Sequence, residues 1–314
     1  MMPGNKPAIV VVPPIPPELR LVLAEHFELI ILPLDATHPG CAVAVITSMG
    51  GADRALMDRL PDLRLIACNG TGLDRVDLNE AARRGIIVRN TPDEVTTDTA
   101  EFAIGLVFAT VRKIAEADRF VRSGKWATER MSPSRRISGL RVGIVGLGRI
   151  GERIAALAHA LEMVVSYTGP RPKSAQPYRF VAGLRELAAG SDVLVVSCPG
   201  GAATEKLIDE TVLAALGADG ILINVSRGGV VDEPKLILAL QLGVVAGAGL
   251  DVFASEPVPD SRLLGLENVV LSPHYASVTP QTRQAIAYAL RDSISDFLSG
   301  RLVQDAAAAT TSLA

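Results

Sequence analysis

Most of the residues in this chain that could do chemistry lie in its second half. A short apolar run, Val142-Gly143-Ile144-Val145, leads directly into Gly146-Leu147-Gly148-Arg149-Ile150-Gly151, and an amphipathic stretch follows. Between a strand and a helix, that glycine spacing suits a dinucleotide. Gly146 permits the tight turn, Gly148 lets the backbone approach a pyrophosphate, and Gly151 lets helix and strand close up. The start of the helix adds N–H donors and partial positive charge for the phosphates. Further on, three apolar runs each lead into polar residues, the place where open parallel sheets hold their ligands. Arg227 follows the first run, Glu256 the second and His274 the third. Taken singly they are a loop cation, a surface carboxylate and a core histidine. Their setting downstream of the glycine loop makes them candidates for one site.

The choice of dinucleotide is read at the end of the next strand. An NAD site expects an acidic residue there to hold the ribose 2′-hydroxyl. The sequence reads Tyr167-Thr168-Gly169-Pro170-Arg171-Pro172-Lys173, with no carboxylate. Arg171 and Lys173 are placed to meet a 2′-phosphate, which a guanidinium binds through two parallel N–H bonds. This favours NADP(H). NAD(H) stays possible if Arg171 is only a solvated turn residue.

The elements that must position these residues alternate along the chain. Strands are expected at 8–12, 29–32, 43–46, 65–68 and 86–89, and again at 142–145, 164–167, 193–196, 221–224, 248–250 and 269–271. Amphipathic stretches such as 52–60, 78–84 and 209–216 lie between them. Alternation of this kind argues for parallel sheets covered by helices. One long apolar-rich helix is expected over 97–121, suited to bridging two domains or building a dimer face. The final helix should start with Thr279 as N-cap and Pro280 at its first position, and run to about Leu298. The tail from Asp305 to Ala314 lacks an apolar face and is expected to be poorly ordered.

Composition bounds the rest. The chain has 314 residues, 48% of them hydrophobic, which is enough for two domains with cores of their own. A net charge of −3 with both signs spread along the chain favours neither nucleic acid nor an anionic membrane as a partner. The Arg135–Arg136 pair reads as a solvated loop. Cys41, Cys68 and Cys198 have neither redox nor zinc spacing, so no metal site is expected and the thiols fit a reducing cytoplasm. Cys41 and Cys68 read as small buried hydrophobes. The run 8–12 is too short for a signal peptide, and no apolar stretch is long enough to cross a bilayer.

The three polar segments are Asn224-Val-Ser-Arg227-Gly-Gly-Val-Val-Asp232-Glu233, Leu250-Asp251-Val-Phe-Ala-Ser-Glu256-Pro257 and Ser272-Pro273-His274. With the glycine loop and Asn90-Thr91-Pro92, they resemble the D-isomer-specific 2-hydroxyacid dehydrogenases from about residue 40 to 300. Val121-Arg-Ser-Gly-Lys-Trp126, Cys198-Pro-Gly-Gly201 with Thr204, and Leu213-Ala-Ala-Leu216-Gly217 carry a finer likeness to glyoxylate/hydroxypyruvate reductases and plant-type hydroxyphenylpyruvate reductases. One departure stands out. Many NADP-using members have arginine directly after the Gly169 position, whereas here Pro170 intervenes and Arg171 comes one later.

The resemblance implies an α/β fold of two Rossmann-like, doubly wound parallel-sheet domains with a cleft between them. The substrate-binding domain would comprise 1–97 and 286–314. The dinucleotide-binding domain would be 98–285, including the long linker and dimerisation helix. It implies reduction of a small 2-oxo acid, glyoxylate or hydroxypyruvate, by a homodimer. A hydroxyphenylpyruvate-type reductase is the alternative, and a dinucleotide-binding corepressor or sensor a more distant one. His274 would supply the proton, since imidazole titrates near neutral pH. Glu256 would orient its ring and favour the imidazolium. Arg227 would bind the substrate carboxylate and polarise the carbonyl. Backbone N–H groups of Thr71 and Gly72 would grip that carboxylate from the other side. Asp251 would contact the nicotinamide carboxamide and Val225 would lie along it. Cys198, Pro199 and Thr204 would line the adenine side. Arg149, Ile150, Gly169, Ser226 and Ala276 complete the implied cofactor site. The substrate's side chain would face Ser48, Met49 and Gly50, and a partner-chain loop near Trp126.

Overall fold

Val193-Leu194-Val195-Val196 shows why this chain builds parallel sheets. Val193 and Val195 pack into one hydrophobic cluster and Leu194 and Val196 into another, on opposite faces. A strand buried on both faces reads as an unbroken apolar run, and such strands need covering helices on each side. The computed structural model describes residues 6–31, 40–47 and 49–301. Ser48, His38 and the tail from Asp305 lie outside the described residues.

The chain divides into two units, Met1–Val95 with Val278–Ala314, and Thr96–Ser277. In the first unit, β1 (Ala8–Val11), β2 (Glu28–Ile31), β3 (Val43–Thr47), β4 (Leu65–Asn69) and β5 (Ile87–Arg89) form one parallel sheet in the order β2-β1-β3-β4-β5. In the second, β6 (Arg141–Val145), β7 (Val164–Thr168), β8 (Arg179–Phe180), β9 (Val193–Val196), β10 (Ile221–Asn224), β11 (Gly247–Leu250) and β12 (Val269–Leu271) form another. Its order is β12-β11-β10-β9-β6-β7-β8. Both sheets are doubly wound. In the second, strand order reverses between β6 and β9, and the crevice at the carboxyl ends of such strands is where ligands bind. The two-residue β8 is too short to leave a periodic signal in the sequence.

The final helix, Pro280–Leu298, begins as its residues dictate. Thr279 Oγ1 accepts the Thr282 N–H at 3.1 Å, and Pro280 opens the first turn. Ile286, Ala287, Leu290 and Ile294 are buried against β1, β3 and β4. The whole helix therefore belongs to the first unit, and the second boundary falls at 277/278 rather than 285/286. At the other boundary, helix Thr96–Val111 lies wholly in the second unit.

The expected single helix over 97–121 is two. Helix Thr96–Val111 ends and Ile114–Arg122 begins after Lys113, which takes a left-handed backbone at φ 55°. The first piece packs closely on the second sheet, because Gly249 leaves room for it. A Cβ there would stand 3.2 Å from Leu106 Cβ and 3.0 Å from Thr110 Oγ1. The second piece buries no residue at all, so no packing keeps it in line with the first. No glycine or proline marks the break, which is why the sequence pattern runs through it. Among the described residues, no helix is long and apolar enough to cross a membrane.

Arg135 is a clamp rather than a solvated loop residue. It donates to Asp192 Oδ1 at 3.0 Å and to the Asp219 carbonyl at 2.6 Å, while Arg141 donates to both oxygens of Asp192 at 3.1 Å. Burial pushes the Asp192 carboxyl up, but bonds from Arg141 and Arg135 outweigh it and hold the group at about 2, against 3.8 for a free side chain. A depressed value stabilises the fold above the unfolded pKa and is lost as pH falls through the folded one. Asp192→Asn should cost about 1–2 kcal/mol in urea melts at pH 7. The gap from wild type should narrow as pH falls from about 4 toward 2; a gap independent of pH would contradict the ion-pair account.

Candidate active site

The glycine loop has the close approaches that its spacing requires. Gly146 sits at φ 93°, and a Cβ on it would stand 2.6–2.7 Å from Cys198 backbone and Cβ atoms. A Cβ on Gly151 would meet the Gly146 carbonyl at 2.1 Å. Around Gly148, by contrast, nothing lies within 4 Å of where a Cβ would be. It is the N-cap of helix Arg149–Ala160 and carries no side-chain cap. An open cradle before an uncapped helix start fits a pyrophosphate. Cys198 is buried, and burial pushes its thiol up to about 11, so it packs rather than reacts. Thr204 Oγ1 donates to the Pro199 carbonyl at 2.7 Å, bracing the 198–204 turn beside the loop. Val225 and Ser226 are buried behind β10.

At the end of β7 the two cations part company. Lys173 is paired: its Nζ meets Glu152 at 2.7 Å, and its N–H donates to the buried Tyr167 hydroxyl at 2.7 Å. Gly169 is open and Arg171 is exposed at the turn. Both cations placed there by sequence are exposed, but Lys173 is tied to Glu152.

Three loops at the ends of β10, β11 and β12 bring Arg227, Glu256 and His274 into one unit. Asn224, buried at the end of β10, accepts from the N–H and hydroxyl of Ser226 at 3.0 and 2.9 Å. It also donates to the Arg227 carbonyl at 3.1 Å. Gly200 lets the arginine side chain pass, since a Cβ there would be 2.7 Å from Arg227 Cγ. Glu256 Oε1 accepts the Phe253 N–H at 3.0 Å, and Oε2 lies 2.9 Å from His274 Nδ1. Burial acts to raise the Glu256 carboxyl. The bonds from His274 and Phe253, with the His274 and Arg227 charges, overcome it and hold the group below the usual carboxylate range. An ionised carboxylate on Nδ1 leaves Nε2 for another partner.

Asp251 holds the loop that follows β12. One oxygen accepts from the Ser272 hydroxyl and from the Tyr275 N–H at 2.7 Å, and the other from the Ala276 N–H at 3.0 Å. Its carbonyl takes the His274 N–H at 2.8 Å. The residue is buried, and burial holds its carboxyl above the usual range despite these bonds. Both oxygens therefore serve the loop that carries His274, whose own backbone is left-handed at φ 54°. Such a conformation costs of order 1–3 kcal/mol and persists only where its surroundings over-determine it.

A family model described as D-isomer specific 2-hydroxyacid dehydrogenase, NAD binding domain, matches residues 104–276. The chain belongs to the D-isomer specific 2-hydroxyacid dehydrogenases. A hydroxyphenylpyruvate reductase of Plectranthus scutellarioides is 44% identical to this dehydrogenase over 254 residues, 81% of each chain. A glyoxylate/hydroxypyruvate reductase A of Arabidopsis thaliana is 43% identical over 84% of this chain and 85% of its own. Among solved structures, an NADPH-dependent glyoxylate/hydroxypyruvate reductase from Sinorhizobium meliloti, in complex with NADP and malonate, is similar with a TM-score of 0.87. It is 38% identical, with 94% of each chain covered.

In the dehydrogenase's first unit, the loop after β4 is braced by residues that the sequence marked only through resemblance. The Gly70 N–H donates to Thr91 Oγ1 at 3.0 Å, and Asn90 Nδ2 donates to the Thr71 carbonyl at 2.7 Å. Thr71 Oγ1 is buried without a hydrogen-bond partner. Asn224 and Ser272 support the candidate site without having been singled out for it, and Asn224 left a signal as a polar residue closing a fully apolar strand.

The Arg227 and Glu256 loops touch at Gly228, where a Cβ would fall 1.8 Å from the Phe253 carbonyl oxygen; at Gly229 nothing lies within 4 Å. Gly228→Ala should therefore destabilise the protein by about 2–4 kcal/mol, while Gly229→Ala stays within about 0.5 kcal/mol of wild type. Paired thermal melts check this, and equal effects would contradict the contact.

Proposed function

We propose that this dehydrogenase reduces glyoxylate or hydroxypyruvate to the 2-hydroxy acid with NADPH, the D-isomer where the product is chiral, and that Arg227, Glu256 and His274 carry the reaction. The observation that carries the proposal is the 2.9 Å contact between His274 Nδ1 and an ionised Glu256. When bound, the nicotinamide supplies a hydride to the carbonyl carbon. His274 Nε2 gives a proton to the carbonyl oxygen, so the C=O becomes CH–OH and the imidazole is left neutral. Glu256 favours the charged imidazole before transfer and keeps the ring oriented. Arg227 binds the substrate carboxylate and polarises the carbonyl, with the N–H groups of Thr71 and Gly72 as further donors to that carboxylate.

Arg171 supports NADPH: it is an exposed cation at the end of β7, where an NAD site would place an acid. The relative solved with NADP points the same way. The Plectranthus relative keeps a hydroxyphenylpyruvate-type substrate as the second reading. Asp251 keeps its proposed place near the nicotinamide in addition to holding the His274 loop. Gly146, Gly148, Arg149, Ile150, Gly151, Gly169, Cys198, Pro199, Thr204, Val225, Ser226 and Ala276 make up the rest of the proposed cofactor site. A homodimer would cover helix Ile114–Arg122, which buries nothing and shows Ile114 and Val121, with Trp126 just beyond. Apolar side chains gathered on one exposed segment are an interaction surface.

Three measurements test the proposal. His274→Ala should lower kcat for oxo-acid reduction by roughly 10²–10⁴-fold with the fold intact, and near-full turnover would end the reading. In wild type, the reduction rate should fall as pH rises through the imidazole range and hold on the mildly acid side, where the depressed Glu256 stays ionised. Arg171→Ala should raise KM for NADPH by about 10–100-fold and leave KM for NADH nearly unchanged. A wild-type preference for NADH would sink the cofactor assignment, and a substrate panel including hydroxyphenylpyruvate separates the two substrate readings.

A further inference from the structure

Glu233 is a buried carboxylate to which the proposed mechanism gives no part. It opens helix Glu233–Gln241, after Asp232 at the N-cap. An acidic residue in a first turn is ordinarily explained by the helix dipole. This one reaches out of its helix instead. Its Oε2 accepts the N–H of Ala254 at 2.9 Å, twenty-one residues further along the chain.

The bond grips a single peptide unit from both ends. The Ala254 N–H and the Phe253 carbonyl belong to the same peptide. Glu233 holds the N–H, and Gly228 lies against the carbonyl so closely that a Cβ would be 1.8 Å from its oxygen. The preceding N–H, that of Phe253, donates to Glu256 Oε1 at 3.0 Å. Glu256 Oε2 in turn meets His274 Nδ1 at 2.9 Å. Two carboxylates thus occupy consecutive N–H groups of one turn, Glu256 on the first and Glu233 on the second.

Phe253 packs into the core of the second unit at one side of the turn, while Ala254 and Ser255 are exposed. Glu233 comes from a rigid element: Val230, Val231, Leu236 and Ile237 around it are all buried in the core of the second unit. The same short segment, 227–233, carries Arg227 at its start. We propose that Glu233 is a positioning residue, which fixes the 253–256 turn to the Arg227 segment and so sets the contact between Glu256 and His274. This rests on the reading of Glu256 and His274 as the acid–base pair.

Losing the carboxylate frees the Ala254 N–H and lets that peptide rotate. The Phe253 N–H then moves, and with it the anchor of Glu256 Oε1. The charges facing the imidazole are Glu256 and Asp251, and Arg227 acts on Glu256. Arg262, close to Asp260, is the cation that senses Glu233. A weaker contact with Glu256 reduces the preference of His274 for its charged form.

The test titrates the His274 ring by NMR in the protein without cofactor, where four histidines give few signals and His274→Ala assigns the one that matters. Glu256→Gln should move the His274 midpoint down by about one pH unit, and Glu233→Ala by about half a unit. Glu233→Gln keeps an oxygen acceptor for Ala254 and should restore the wild-type curve. With cofactor and substrate, kcat for Glu233→Ala should drop about 10-fold, and its alkaline limb should shift in the same direction as the NMR midpoint. If Glu233→Ala does not fold, Glu233→Asp, whose carboxylate is one methylene too short, takes its place. A Glu233→Ala titration identical to wild type, beside a shifted Glu256→Gln, overturns the positioning role and leaves the acid–base pair standing. If neither variant moves the midpoint, the pair itself is refuted and the positioning role with it.

Discussion

Asp251 holds the loop on which the candidate site depends. Its two carboxylate oxygens and its carbonyl bind Ser272, His274, Tyr275 and Ala276, so the chain after β12 has one way to lie. His274 is thereby kept in a left-handed backbone that no glycine relieves. A residue in that region is held by its surroundings or not at all. Burying a carboxylate is costly, and here three hydrogen bonds offset part of the cost. The site's proposed proton donor is thus positioned by a group whose own oxygens are already occupied.

The same logic repeats at each strand end of the second unit. Asn224 organises the Arg227 loop after β10, Asp251 the His274 loop after β12, and Glu233 with Gly228 the turn before Glu256. Parallel strands present carboxyl ends side by side, so three loops distant in sequence become neighbours. Glycines set how near they come. Gly228 brings the Arg227 loop onto the Phe253 carbonyl, Gly200 admits the Arg227 side chain, and Gly146 and Gly151 draw the cofactor loop in tightly. A polar side chain then fixes each loop once the backbones are close.

Much of this was legible beforehand. Every strand longer than two residues was visible as an apolar run, the central ones because strands buried on both faces leave no other pattern. The glycine loop, the Thr279–Pro280 helix start and the clustering of Arg227, Glu256 and His274 after successive strands followed from local rules. The break at Lys113 did not, since its cause is the end of packing at Val111 and no residue type announces that. Nor did the pairing of Lys173 with Glu152, which ties up one of the two exposed cations at the β7 turn. Arg135 likewise reads as a loop cation until Asp192 is placed beside it.

The sequence by itself determined what depends on neighbours along the chain: which segments are strands or helices, where the backbone must be glycine, and which polar residues stand at strand ends. Tertiary structure decided what those polar residues bind. Glu233 meets Ala254, Asp251 meets Ser272 and Tyr275, and Glu256 meets His274 across separations of about twenty residues. Hydrogen bonds of that kind follow from strand order and loop closure, and neither is written in the local pattern. The Arg227, Glu256 and His274 cluster was therefore visible in the sequence, while the carboxylates that hold it in place were visible only in the fold.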